Sequence, residues 1–362
     1  MKEIESIRNS VNKIDKEIIA LIEKRLDLAS EILIKKLALN LSGFSPDRET
    51  EVMSILQNMS SDKLSTDDLR RIFAEIISVC RKVESDEKMI VFGEKYGLCH
   101  NCVRSQYGKT IPLSFRYKWK QIVSDVRENH KSFVSVLFQP GNNDFTSIFD
   151  DLLAERFRIV AESHQITKFS LVSKSCENLF DLSEILIPRE FRHSLIEWIG
   201  SLNISAKITI CNFEEEAYEN LLESKSIAAI LPQDIALDAP LNFLKKDIIP
   251  ADTFPLRLLT LSASRRDHHG KSDISSSQGT FLIANNSDTN NLPSILQTIE
   301  KSDFAVTAVT SFQISNKPFK NVFWIDVTKN ENLSSVEEKI INIKKANQFS
   351  SFLGFYKSVK CF

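Results

Sequence analysis

A chain of 362 residues has room for two or three domains, and 46 Lys and Arg against 48 Asp and Glu leave it a net charge of −2. Evenly mixed charges provide no basic surface for nucleic acid. Glycine, at 9 of 362 or about 2.5% where about 7% is usual, and the lack of GxGxxG and GxxxxGKS/T patterns argue against a glycine-rich phosphate cradle.

The N-terminus reads as an acidic amphipathic helix rather than a signal peptide, and no apolar run approaches a membrane span. With six cysteines, this predicts a cytoplasmic protein with reduced thiols and no membrane partner. Residues 3–40 form one predicted helix. Ile4, Ile7, Val11, Ile14, Ile18 and Leu21, then Leu28 and Ile32, alternate at spacings of three and four, which is a heptad seam. Arg25 stands in that seam. "SPDRE" reads as a helix start, with Ser45 as N-cap, Pro46 in the first position and Asp47 in the first turn. A third helix opens at "STDD" and runs to about Glu84, with Leu69, Ile72, Phe73, Ile76, Ile77, Cys80 and Val83 on one face.

After "KMIVFGE" the pattern changes. The runs "SFVSVLF", "RFRIVAES", "KFSLVSK", "AKITIC", "SIAAILP" and "LRLLTLS" alternate with helical stretches at 144–155, 189–201 and 213–223, which predicts an α/β domain. Cys99-His100-Asn101-Cys102 has redox or zinc spacing without a second pair, so we read two ordinary thiols in a loop. "SRRDHHGKSDISSSQG" reads as a linker, and Asp267, His268 and His269 within it as solvated rather than metal-binding. Beyond it, "GTFLIAN", a helix near 290–301, "FAVTAVTSFQI", "NVFWIDV", a helix near 334–347 and "FLGFYKS" predict a βαββαβ module. The expected divisions are 1–86, 87–264, a linker at 265–278, and 279–362.

A cation in a seam is costly unless paired. Arg25 either packs its stem while its head reaches solvent or a carboxylate, or it serves a ligand. Lys36, eleven residues on, projects from nearly the same face about 16 Å away, so the two can converge on one small anion. Arg8 lies about 25 Å from Arg25 and reaches such a site only from a second, antiparallel chain.

"IRNSVNKID", "LIEKRLDLASEI", "IKK" and "PDRETEV" resemble the all-helical chorismate mutase domain that heads bacterial P-proteins. The resemblance implies an intertwined homodimer that converts chorismate to prephenate without a cofactor or metal. It assigns Arg8, from the partner, and Arg25 to the carboxylates of chorismate. Lys36 and Glu84 then face the ether oxygen, Glu49 accepts from the ring hydroxyl, and Arg48 supports the charge of the site. Ser45 stands where the family has aspartate, Cys80 where it has serine, and Glu84 where many relatives have glutamine. Glu84 donates a hydrogen bond only when protonated. It is either part of the site or an ordinary last-turn glutamate.

The order of segments also resembles a whole P-protein. It implies a two-lobed dehydratase-like α/β domain of periplasmic-binding-protein type, then a ferredoxin-like ACT domain, in phenylalanine biosynthesis. The family's motifs differ, however. Leu256-Arg257-Leu258 replaces Thr-Arg-Phe, Gln139-Pro140-Gly141 replaces Glu-Asn-Ser, and Gly93-Glu94-Lys95-Tyr96 replaces Gly-Pro-Glu-Gly. Ser194 replaces a glutamine, Asn290-Asn291-Leu292 replaces Gly-Ala-Leu, and Thr310-Ser311-Phe312-Gln313 replaces Glu-Ser-Arg-Pro. Arg257 is the one remnant of a dehydratase site, and as a lone strand arginine it also fits a structural ion pair. The expected function is therefore a chorismate mutase whose dehydratase-like region is inactive or repurposed and whose phenylalanine sensing is lost. The alternatives are a bifunctional enzyme, an altered prephenate-processing enzyme such as a decarboxylase, and a non-catalytic scaffold.

Overall fold

The computed structural model describes residues 2–39, 43–81, 88–129, 132–138, 143–189, 192–202, 204–212, 214–236, 240–248, 255–263, 277–285, 291–314, 321–329, 335–347 and 349–361. Helix α1 spans Lys2–Ala38, about 55 Å. It contains no Gly or Pro, and Glu3 and Glu5 in its first turn and Lys35 and Lys36 in its last complement the helix dipole. Every residue from Lys2 to Leu21 is exposed, and burial begins only where the helix meets its neighbours. Helix α2 (Pro46–Gln57) starts at Ser45 with Pro46 as expected. Helix α3 (Thr66–Arg81) is opened by a capping box: Ser65 Oγ accepts from the Asp68 amide at 3.2 Å, and Asp68 Oδ2 accepts from the Ser65 amide at 3.3 Å.

There follow β1 (Met89–Phe92), α4 (Leu98–Tyr107), β2 (Leu113–Arg116), α5 (Trp119–Glu128), β3 (Phe133–Phe138), α6 (Asn143–Thr146), α7 (Phe149–Leu153) and β4 (Phe157–Gln165). The chain crosses into a second lobe of β5 (Phe169–Ser173), β6 (Glu184–Pro188), α8 (Arg192–Gly200), β7 (Lys207–Cys211), α9 (Glu214–Glu223), β8 (Ile227–Pro232), α10 (Gln233–Ala236) and β9 (Asn242–Ile248). It returns along β10 (Leu256–Ala263). The last elements are β11 (Gln278–Asn285), α11 (Leu292–Lys301), β12 (Phe304–Gln313), β13 (Asn321–Lys329), α12 (Val336–Ala346) and β14 (Phe349–Cys361).

The second lobe is a five-stranded sheet ordered β7-β6-β8-β5-β9. The first lobe and the C-terminal βαββαβ module share one nine-stranded sheet, ordered β12-β13-β11-β14-β4-β10-β3-β1-β2. Strand β14 makes the join. Its first half runs antiparallel to β11, and Lys357–Cys361 run parallel to Ala161–Gln165 of β4. Gly354 lies at the register shift in the first half, just before the change of partner, at φ +109°, and a Cβ there would stand 3.3 Å from the Ile159 carbonyl oxygen, so the bulge favours glycine. In the second half, Val359 is buried among Met53, Leu56, Ala74 and Ile77 of α2 and α3, and Lys357 pairs with Glu51 at 2.8 Å.

Cys99 and Cys102 differ from expectation. They lie in helix α4 rather than in a loop, both buried, because Leu98, Cys99, Cys102, Val103 and Tyr107 form the apolar face that packs beneath the sheet. Burial, followed by the proximity of Cys102, pushes the Cys99 thiol well above its ordinary value. Among the described residues, no group of three His, Cys, Asp or Glu is arranged to hold a metal, and no helix is long and apolar enough to cross a membrane. The helix expected at 144–155 is broken into α6 and α7. The polar run at 264–276, with Asp267, His268 and His269, lies outside the described residues.

Candidate functional site

The C-terminal part of α1 packs against α3 and reaches Ser45, at the head of α2, through Lys36, and cationic side chains gather there. Arg25 is half-buried and donates from Nη1 to Cys80 Sγ at 2.6 Å. Lys36 donates from Nζ to Ser45 Oγ at 2.6 Å and to the Gly43 carbonyl at 2.8 Å. Ser45 therefore spends its hydroxyl on Lys36 and makes no side-chain cap to α2. One turn into α2, Glu49 faces the same cluster. Burial pushes its carboxyl above the ordinary 4.5, while Arg81 and then Arg25 and Lys36 pull it back down. Arg25, Lys36, Ser45, Glu49 and Cys80 thus stand in one neighbourhood, joined by hydrogen bonds or by charge.

Arg81 was not anticipated. It forks onto Glu49, Nε to Oε1 at 3.0 Å and Nη2 to Oε2 at 2.5 Å. Its Nη1 donates to the Tyr107 carbonyl at 2.8 Å, and its guanidinium lies 4.8 Å from the Phe44 ring centroid. In the sequence it looks like an ordinary basic residue in the last turn of a helix. Only its partners, 32 and 26 residues away, distinguish it.

The remaining residues are dispersed. Arg48 points outward and pairs with Glu51, its side chain 64% exposed. Arg8 lies on the fully exposed stretch of α1, away from the cluster. Glu84 lies outside the described residues, as does Gln139-Pro140-Gly141, and the side chain of Ser194 is not described.

Arg257 is enclosed by carboxylates. Its Nε lies 2.6 Å from Glu162 Oε1, and Asp326 of β13 takes Nη1 at 2.6 Å and Nη2 at 2.9 Å. Tyr356 and Thr280 share the network, joined to each other by a hydroxyl pair at 2.6 Å. Burial raises the Glu162 carboxyl, but the His164 hydrogen bond and the charge of Arg257 outweigh it and hold it below 4.5. The fork that a substrate carboxylate would need is occupied by the chain's own carboxylates. Tyr96, in the loop that replaces Gly-Pro-Glu-Gly, has φ +68° and lies against Tyr218 at 4.4 Å between ring centroids.

Residues 7–85 match the family model for Chorismate mutase type II. The bifunctional chorismate mutase/prephenate dehydratase of Aquifex aeolicus (strain VF5) is 21% identical, across 98% of this chain and 98% of its own length. Among solved structures, prephenate dehydratase from Arthrobacter aurescens, in complex with L-Phe, aligns with a TM-score of 0.62 at 17% identity, over 74% of this chain and 89% of that one. GqqA, a novel type of quorum quenching acylase, aligns with a TM-score of 0.61 at 15% identity, over 75% and 97%. The structural likeness is one of fold, since two different activities share it.

Proposed function

We propose that this chain, which resembles the P-proteins along its length and carries a chorismate mutase type II domain at its head, rearranges chorismate to prephenate. The observation that carries the reading is the convergence of Arg25, Lys36 and Glu49 where α1, α2 and α3 meet. The reaction is unimolecular: the ether carbon–oxygen bond breaks as a carbon–carbon bond forms within the same molecule. The enzyme's work is to hold a flexible dianion folded and to stabilise negative charge that grows on the ether oxygen. Arg25 and the partner's Arg8 are the carboxylate clamps in this reading, with Arg48 adding charge at the rim. Lys36 and a protonated Glu84 donate to the ether oxygen, and Glu49 accepts from the ring hydroxyl. Arg81 occupies one lone pair on each Glu49 oxygen and leaves others to accept. Ser45 and Cys80 orient Lys36 and Arg25. The sites form in a homodimer, because the seam of Ile4, Ile7, Val11, Ile14 and Ile18 is 49–62% exposed in one chain.

The dehydratase-like region, in the same reading, does not dehydrate prephenate, and the ferredoxin-like module does not sense phenylalanine. The enclosure of Arg257 by Glu162 and Asp326 supports this, and so do the altered motifs. The bifunctional relatives favour a retained dehydratase. Incubation of the full-length protein with chorismate, followed by NMR, decides between them. Accumulating prephenate is expected, phenylpyruvate would establish the bifunctional reading, and a new dienyl product would indicate altered chemistry. Unchanged chorismate would leave a scaffold.

A further inference from the structure

The partners of Arg81 belong to two parts of the chain. The guanidinium grips Glu49 on α2 through two nitrogens, and its third donates to the backbone of Tyr107 at the end of α4. Tyr107 is fixed in turn, its hydroxyl 2.7 Å from Thr260 Oγ1 of β10. Close approach of the two regions is built into the backbone. Gly108, at φ +74°, ends α4 directly against α3, and a Cβ there would fall 2.5 Å from Ser78 Cβ and 2.6 Å from the Ala74 carbonyl. Ser78 and Thr110 tie the same junction, with the Thr110 amide donating to Ser78 Oγ at 2.9 Å. The Phe44 ring packs against the guanidinium and stands edge-on to Tyr107 and Phe133.

We propose that Arg81 is a positioning residue for chorismate rearrangement, through which the dehydratase-like region holds the Glu49 carboxylate of the mutase site in place. The inference rests on the mutase reading above. The groups that face Glu49 among the described residues are Arg81 from α3, Arg25 and Lys36 from α1, and the Tyr107 hydroxyl from α4. On its own helix, Arg48 turns away to Glu51, which Lys357 of β14 also holds. The fork of Arg81 does one thing that Arg25 and Lys36, occupied with Cys80 and Ser45, do not: it fixes the direction of both carboxylate oxygens. It also pulls harder than either of them toward the ionised form that accepts a hydroxyl proton.

The test uses the full-length protein and its Arg81→Met, Arg81→Lys and Glu49→Gln variants. Chorismate turnover is measured from pH 5 to pH 9. In Arg81→Met the acid limb of kcat/KM moves to higher pH, with a loss of roughly 10²-fold at the acid end and a smaller one at pH 8. Arg81→Lys, which keeps the charge and loses the fork, falls between. A uniform loss at every pH, or no loss, overturns the proposal. Should Arg81→Met fail to fold by circular dichroism, the same comparison is read from Arg81→Lys. A second readout does not depend on turnover: the side-chain carboxyl ¹³C resonance of Glu49, identified by its disappearance in Glu49→Gln, titrates at higher pH without Arg81. A wild type that leaves chorismate unchanged sinks the mutase reading, while the Glu49 titration still decides whether Arg81 holds that carboxylate.

Discussion

Arg25 occupies a seam position that an apolar side chain would fill in a simple coiled coil, and its head is met by a thiol rather than by a carboxylate. Its charge acts on Glu49 from a distance rather than through a direct ion pair, so in the proposed site the head can still turn to a dianion. Arg25→Ala is expected to lower turnover by about 10²–10³-fold with helicity unchanged by circular dichroism, since one directed donor to a developing charge is worth that much. Wild-type rates in that variant would remove Arg25 from the site. In the proposed site, Glu84 and Glu49 are asked for opposite protonation states. Turnover is therefore expected to fall as pH rises and Glu84 loses its proton, and Glu84→Gln should flatten that limb while leaving the acid limb set by Glu49. A flat wild-type profile would contradict both assignments. The shared face of Arg25 and Lys36 was legible because helical spacing fixes which side chains lie together, whereas Glu49, on another helix, entered only through the family resemblance. Arg81 was not legible, because its meaning lies in Glu49, Phe44 and Tyr107, which helical periodicity does not connect to it.

Among the elements, the runs of alternating or continuous apolar residues became strands within a residue or two: "SIAAILP" became β8 and "LRLLTLS" became β10. Strands β2 and β9 went unread, since half-exposed "LSFR" and "NFLKKDI" with two lysines carry little apolar pattern. Cys99-His100-Asn101-Cys102 misled for a related reason: the spacing that suits a metal loop also suits one face of a helix. Arg257 read correctly as a candidate ion pair, but its partners could not be named, since Asp326 lies 69 residues away across a sheet join. Removing the cation leaves two buried carboxylates, so Arg257→Ala is expected to cost about 3–5 kcal/mol in urea unfolding at pH 7. The sign with pH follows from Glu162, whose carboxyl is held below 4.5 in the folded state. Its stabilisation is present above the unfolded value and is lost as pH falls through the folded one. The gap between wild type and Arg257→Ala should therefore narrow on acidification toward pH 3, and a constant gap would show that the ion pair is not its source.

At the scale of the whole molecule, a helix of about 55 Å presents a bare N-terminal half, which the proposed homodimer would cover. If each site takes Arg25 from one chain and Arg8 from its partner, two inactive variants can restore one another. Arg8→Ala and Arg25→Ala chains, denatured together in equal amounts and refolded, should regain about a quarter of wild-type activity. Half of the dimers are mixed, and each mixed dimer has one of its two sites intact. No recovery would mean that each site is built within one chain.

Strand β14 also bears on how the chain can be dissected. A truncation before residue 277 removes more than a terminal module: it strips the neighbour from β4, baring an edge beside Glu162, and takes Val359 out of the packing between α2 and α3. Such a deletion would impair the proposed N-terminal catalyst by subtraction of architecture. A silent mutase in a shortened chain would then be evidence of a missing strand, and no evidence of a missing effector.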